Sequence, residues 1–305
     1  MSEPTERAEP ELLVRPASAP FSIESIVAKA AAILARAGVP SAQVDAELLV
    51  GHVLGLSRGG VQARMLTGAT ADLDEIQSID SLVERRAARE PLQHITGVAY
   101  FRSLELAVGP GVFVPRPETE TVAQFAIDAL AASAVPTPIG VDLGTGSGAI
   151  ALAMATEVPP ARVFGVEVSP AAYVWTKQNF RSVGALNASP VFIDLADALP
   201  NLDGSVDVVI SNPPYIPLGA IPRDPEVRLY DPEIALYGGT DGLDLVRNVS
   251  TTGLRLLHSG GTLVLEHGEL QAAAIADLLR TAGWVAVATH KDLLGRDRAT
   301  TALRP

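Results

Sequence analysis

The sequence predicts an α/β protein: a doubly wound, mostly parallel seven-stranded sheet, preceded by a small helical domain and a linking β-hairpin. Three observations carry this. From about residue 117, short apolar runs alternate with helical stretches. A glycine-rich turn, Gly144-Thr145-Gly146-Ser147-Gly148, follows the first of those runs. Before residue 90 the apolar residues recur at helical spacing instead.

In chain order, residues 1–20 set Pro4, Pro10, Pro16 and Pro20 among charges, the composition of a disordered leader. Ser22 is a good N-cap for a helix with Ile23, Ile26, Val27, Ala30, Ile33 and Leu34 on one stripe, ending at Gly38. A second helix runs from Ser41 through Val44, Leu48, Leu49 and Val53 to Gly55. A third spans Leu73 to Arg89, with Leu73, Ile76, Ile79, Leu82 and Val83 inward. These helices form a domain over residues 21–90. Val98–Phe101 and Leu104–Val108 read as short strands of a hairpin linker over residues 91–116. Over residues 117–305 the expected strands are Gly140–Leu143, Val163–Val168, Val191–Asp194, Val206–Ser211, Thr262–Glu266 and Trp284–His290, with Ala299–Leu303 as an edge strand.

Composition narrows the function. The apolar run near Ile26 to Val39 is broken by Lys29 and Arg36, too polar and too short to cross a bilayer. Glu3, Glu6, Glu9 and Glu11 are wrong for a secretory signal, and with 0 cysteines there is neither a disulfide framework nor a thiolate metal site. A cytoplasmic, monomeric enzyme without membrane attachment or bound metal is expected. A net charge of −12 opposes general nucleic-acid binding, although Arg85, Arg86, Arg89, Arg102 and Arg116 make either a local basic patch or ordinary solvated charges.

The glycine loop follows Val141-Asp142-Leu143 and opens a helix at Ala149–Thr156. Its glycines allow a sharp turn and close approach of a ligand to the backbone. Asp142, just before it, would repel a pyrophosphate but suits a ligand carrying an ammonium group, such as the methionine end of S-adenosylmethionine. Glu167 ends the next strand, where a carboxylate can accept both hydroxyls of a ribose. Asp194 ends the third and can accept from an adenine amino group, with Leu195 packing on the ring. Each acid alone reads equally as a cap or surface residue; together beside the loop they point to S-adenosylmethionine, leaving S-adenosylhomocysteine.

Val208–Ser211 runs straight into Asn212-Pro213-Pro214-Tyr215. The prolines fix φ and contribute no N–H, so the turn is stiff. An amide nitrogen is a poor nucleophile because its lone pair is delocalised into its carbonyl. The Asn212 side-chain oxygen and the Pro213 carbonyl can each accept one of its N–H groups, and the Tyr215 ring can stack on a flat amide or base. Asn212 also borders the cofactor. Pro115-Arg116-Pro117-Glu118 reads as good helix-start chemistry, yet it lies where domain and substrate should meet, so Arg116 and Glu118 join the substrate-side candidates. His267, beside Glu266, is a conceivable metal ligand but reads better as a structural histidine.

These segments resemble a class I, Rossmann-like S-adenosylmethionine-dependent methyltransferase. Asp45-Ala46-Glu47-Leu48-Leu49, Pro91-Leu92-Gln93-His94-Ile95-Thr96-Gly97 and Val114-Pro115-Arg116-Pro117-Glu118-Thr119-Glu120 are similar to the peptide chain release factor glutamine methyltransferases. So are Asp231-Pro232-Glu233-Ile234-Ala235-Leu236, Gly239-Thr240-Asp241-Gly242-Leu243 and Leu265-Glu266-His267-Gly268. The resemblance spans roughly residues 22–305. It implies N5-methylation of the glutamine in the Gly-Gly-Gln loop of release factors, with the helical domain helping to hold that protein. Leu195 departs where some relatives carry an aromatic ring, and Arg102-Ser103 replaces an expected glycine-containing pair. The alternatives are a ribosomal-protein glutamine methyltransferase, an adenine-N6 DNA methyltransferase, which would need a basic DNA-reading region, and a silent binding module, which the intact loop opposes.

Overall fold

The computed structural model describes residues 21–305, so the leader expected over residues 1–20 lies outside the described residues. The chain forms two compact units that divide between Ala88 and Arg89.

In the first unit, β1 (Phe21–Ser22) precedes helices α1 (Ile23–Arg36), α2 (Ala42–Leu54) and α3 (Arg58–Leu66); β2 (Thr70–Ala71) pairs antiparallel with β1 and leads to α4 (Leu73–Ala87). Ser22 caps α1, accepting from Ser25 N at 3.2 Å, and Ile23, Ile26, Val27, Ala30 and Leu34 are buried. The inward face of α2 differs from expectation: Val44, Leu48 and Val53 are half-buried, whereas Asp45, Glu47 and Val50 are buried beside Leu49. Two acids tolerate burial because each has donors. Asp45 accepts from Arg86 Nε at 2.8 Å, and Glu47 accepts from Gln43, Arg58 and Gln62 at 2.8, 2.6 and 2.9 Å. In α4 the expected inward Leu73 is exposed, while Ile79 and Val83 are buried. Helix α3 was not foreseen, because Gly59-Gly60 weaken helix propensity and only Val61 is buried.

The second unit begins with the short helix α5 (Leu92–Thr96) and a hairpin, β3 (Val98–Phe101) and β4 (Leu104–Ala107). Arg102 holds φ at 52° in the hairpin turn, a left-handed conformation that costs a side-chain-bearing residue roughly 1–2 kcal/mol. Its N–H donates to Glu120 Oε1 at 2.9 Å and its guanidinium to Gln124 Oε1 at 2.7 Å and to Glu157, which offsets the strain.

Then come α6 (Pro117–Ala131), β5 (Ile139–Leu143), α7 (Ala149–Glu157), β6 (Arg162–Glu167), α8 (Pro170–Val183), β7 (Ala188–Phe192) and β8 (Val206–Ser211). They are followed by α9 (Pro225–Tyr230), α10 (Asp244–Leu256), β9 (Leu257–Glu266), α11 (Ala272–Thr281), β10 (Val285–Lys291) and β11 (Asp297–Leu303). The seven-stranded sheet has the order β10-β11-β9-β8-β5-β6-β7. It is parallel from β9 to β7, and β11 is antiparallel to both neighbours. The last strand is therefore not at the edge: β11 is inserted between β9 and β10, where Ala299, Thr300 and Ala302 are buried, and β10, with mostly exposed residues, forms the edge.

The chain winds from β5 out to β7 and returns to β8 on the other side of β5, so the carboxyl ends of β5 and β8 flank a topological switch point. One apolar cluster gathers α6, α7 and the hairpin residues Phe101, Leu104 and Leu106; another gathers α10 and α11. In α7 every residue from Ala149 to Ala155 is buried, which anchors the loop before it. Four of these arginines sit beside acids: Arg86 pairs with Asp45, Arg89 with Glu226, Arg102 with Glu157 and Arg116 with Asp231. Among the described residues, no helix is long and apolar enough to cross a membrane.

Candidate active site

Ser211 Oγ donates to Leu143 O at 2.6 Å and ties together the ends of β5 and β8. A cavity of about 370 Å³ opens there. Its wall includes Gly144, Thr145, Gly146 and Ser147 from the glycine loop, Glu167 and Val168 after β6, and Asn212, Pro214 and Tyr215 after β8. Arg116, Glu118 and Thr119 at the start of α6, with Glu266 and Arg298, line the wall next to Asn212.

Gly144 and Gly146 hold φ at 79° and 57°, and a Cβ on either would meet nothing within 4 Å. They leave the cavity floor bare. Gly148 differs: a Cβ there would lie 2.8 Å from the Phe180 ring, and the residue is outside the cavity wall, so packing demands it. The loop is clamped from behind. Thr176 Oγ1 donates to Gly146 O at 2.6 Å, and Asn179 Nδ2 donates to Ser147 O at 2.8 Å and to Ala107 O at 2.9 Å.

Asp142 lies beneath the loop and has no exposed surface. Its Oδ2 accepts from Thr145 Oγ1 at 2.6 Å and Ala151 N at 3.2 Å, while Oδ1 has no partner. Burial pushes its carboxyl up to about 7, against those two donors. Glu167 faces the cavity. Its Oε2 accepts from Gly146 N at 2.9 Å and its Oε1 from Val168 N at 3.0 Å and Ser169 N at 2.7 Å. Asp194 and Leu195 are outside the cavity wall. Strand β7 stops at Phe192, Asp194 turns outward to accept from Ala196 N at 2.9 Å, and Leu195 packs against the cluster on the α10 side.

The Asn212-Pro213-Pro214-Tyr215 turn is braced from one side. Ile216 N donates to Leu236 O, Gly238 N to Ile216 O, and Gln271 Nε2 to Tyr215 O, each at 2.9 Å. The bracing chain comes so close that a Cβ on Gly238 would sit 2.4 Å from Pro214 O, and one on Gly242 2.3 Å from Tyr215 O. Pro213 is buried, and its carbonyl accepts no hydrogen bond from the described residues. Burial, then the nearby Glu266 charge, pushes the Tyr215 phenol up to about 12, so the ring stays neutral.

Arg116 caps α6 without a side-chain cap bond and instead donates to Asp231 Oδ2 at 2.7 Å; Glu118 pairs with Arg296 at 3.1 Å. Burial pushes the Asp231 carboxyl up to about 6 despite Arg116. Thr119 and Glu266 are wall residues beside Asn212 that the sequence reading did not assign to the site. Because Ser211 pairs with Leu265 across β8 and β9, Glu266 falls beside Asn212. The Thr119 hydroxyl and the Asn212 side-chain amide, both donors, favour its charged form, and Asn212 Nδ2 donates to Thr119 Oγ1 at 3.4 Å. Burial pushes Glu266 up to about 7 against these donors and Arg298. The sequence signal for Glu266 is an acid closing the strand next to β8; His267, which follows it, is not part of the site. That histidine is fully buried, 2.9 Å from both Thr300 Oγ1 and Gly268 O, and outside the cavity wall.

Comparison with known proteins agrees with this architecture. The PrmC N-terminal domain model matches residues 25–97, and the methyltransferase small domain model residues 104–220. The release factor glutamine methyltransferase of Streptomyces coelicolor is 50% identical over 281 residues, covering 90% of this chain and 96% of that protein. The 4-amino-L-phenylalanine/4-methylamino-L-phenylalanine methyltransferase of Streptomyces pristinaespiralis is 41% identical over 204 residues, covering 66% of this chain and 69% of the relative. Among solved structures, the hMettl16 catalytic domain superposes with a TM-score of 0.51 at 16% identity, covering 65% of this chain and 75% of that one, and shares the fold. With near-complete coverage at half identity added to this sheet and cavity, the chain belongs to the release factor glutamine methyltransferase family.

Proposed function

We propose that this methyltransferase transfers the methyl group of S-adenosylmethionine to the side-chain amide nitrogen of the glutamine in the Gly-Gly-Gln loop of peptide chain release factors. The observation that carries the reading is the Asn212 side chain, whose nitrogen donates to Thr119 beside Glu266 while the residue faces the cavity beside the glycine loop. Its oxygen is then the atom left for an incoming N–H.

The residues around the cavity suit such a cofactor, which when bound supplies an electrophilic methyl on a sulfonium. The floor at Gly144 and Gly146 lacks Cβ atoms and Glu167 offers carboxylate lone pairs to ribose hydroxyls, while Asp142, outside the wall, acts by holding Thr145 of the loop from below. Thr145, Ser147 and Gly148 shape the loop. We assign the adenine end to Asp194 and Leu195, just beyond β7 at the carboxyl end of the parallel strands. On the acceptor side, Asn212 Oδ1 and Pro213 O take the two amide N–H groups, which orients the nitrogen and supports its developing positive charge. Pro214 stiffens the turn, the neutral Tyr215 ring lies against the flat amide, and Arg116 and Glu118 contact the flanking peptide. The amide nitrogen would take the methyl group from the sulfonium, leaving S-adenosylhomocysteine, and the methylated amide, then cationic and strongly acidic, would lose one N–H proton to water, so no strong base is required.

The first unit is assigned to holding the protein substrate. Purified protein with methyl-labelled S-adenosylmethionine is expected to label a release factor, and not a variant lacking the loop glutamine. Label appearing instead on DNA, on ribosomal protein, or on free 4-amino-L-phenylalanine would sink this reading.

A further inference from the structure

We infer that Glu266 and Thr119 are positioning residues that lock the orientation of the Asn212 amide, turning its oxygen toward the acceptor; the inference rests on the amide-methylation reading above. A primary amide can rotate by half a turn and exchange its oxygen for its nitrogen at nearly the same shape, which would present N–H groups to an acceptor that itself brings N–H groups. Something must therefore discriminate the two orientations. An ionised carboxylate accepts only. Glu266, 3% exposed, closes β9 beside Asn212 at the end of β8, with the Asn212 amide and the Thr119 hydroxyl acting on it as donors, and Asn212 Nδ2 donates to Thr119 Oγ1 at 3.4 Å. With the Thr119 hydroxyl hydrogen turned toward Glu266, the Thr119 oxygen is an acceptor toward Asn212. Both partners thus select the amide nitrogen, and the flipped form would oppose oxygen to oxygen inside a buried site.

The charge state of Glu266 governs the lock. Protonated, it gains a donor and can face the Asn212 oxygen instead, so the selected orientation is lost as pH falls. Its Oε2 has no partner, which leaves room for that proton. The charged or titratable groups facing Glu266 are Arg298 on β11, Glu118 on α6 and Tyr215 after β8. Tyr215 stays neutral, Arg298 favours the charged carboxylate and Glu118 opposes it, and burial outweighs all of these, raising the carboxyl to about 7.

The test uses the full-length protein, with methyl transfer to release factor and calorimetric S-adenosylmethionine binding measured in parallel across pH 5.5 to about 9. Wild-type kcat is expected to fall on the acid side as Glu266 is protonated. In Glu266→Gln, kcat at pH 8 should drop tenfold or more with cofactor affinity within about twofold, and the acid limb should vanish. Thr119→Val, which keeps the shape and removes one donor to the carboxylate, should lower kcat and move the acid limb to higher pH. An unchanged acid limb in both variants, or equal loss of turnover and cofactor binding, overturns the lock. Should Glu266→Gln fail to fold, Thr119→Val decides alone by the direction of its limb. A wild-type protein that labels no release factor sinks the functional reading itself, a result distinct from any variant's failure.

Discussion

At Asn212 the chemistry depends on one oxygen, and its removal separates catalysis from cofactor binding. Asn212→Ala is expected to lower kcat by about 10²–10³-fold, the usual cost of deleting one preorganised polar contact to developing charge. S-adenosylmethionine affinity by calorimetry should change little; an equal loss of both would place Asn212 in the cofactor pocket instead. Asp142 tests a different property of a single residue. Its folded carboxyl is raised from 3.8 to about 7, so the folded state binds a proton more tightly than the unfolded chain does. Stability must then fall as pH rises from about 4 through 7, because folding keeps a charge in a place that disfavours it. Asp142→Asn is expected to raise Tm at pH 8 relative to wild type, with the gap closing by pH 4, while S-adenosylmethionine affinity falls. A constant gap across that range would show that titration of Asp142 is not involved.

Elements matter here mainly through what they hold in register. Asn179 on α8 joins the hairpin to the glycine loop by accepting from Ala107 N at 2.7 Å and donating to Ala107 O and Ser147 O. It is 1% exposed, so Asn179→Ala leaves buried groups unpaired, at a cost of about 1–3 kcal/mol for each group not reached by water. A clear drop in Tm with weaker cofactor binding is expected, and full binding at normal Tm would refute it. Gln271, ahead of α11, braces Tyr215 O and Gly268 N. Gln271→Ala should lower kcat severalfold with little change in cofactor affinity, measured as for Asn212. Much of this level was readable beforehand: β8 has the expected limits, and α1 starts at its expected cap. The shift of the α2 face was not readable, because whether Asp45 is buried depends on Arg86, which lies forty-one positions later in the chain.

For the whole molecule, the two units make separate contributions under the proposed function, and they can be tested apart. Residues 89–305 contain the entire sheet and every residue of the cavity wall. Expressed alone, they are expected to bind S-adenosylmethionine with near-normal affinity but to show a KM for release factor raised tenfold or more, if the first unit holds the protein substrate. An unchanged KM would remove that role. Linear order alone determined the alternation of strands and helices, the glycine loop, the Asn-Pro-Pro-Tyr turn and the helical start, since each is written in neighbouring residues through periodicity, capping and backbone restriction. Tertiary structure alone decided that β11 lies inside the sheet, that Asp142 sits under the loop and outside the cavity wall, that Gly148 answers to Phe180, and that Glu266 and Thr119 meet at Asn212. These depend on strand register and burial, which bring together residues far apart in sequence and set whether a carboxylate faces water, a donor or nothing at all.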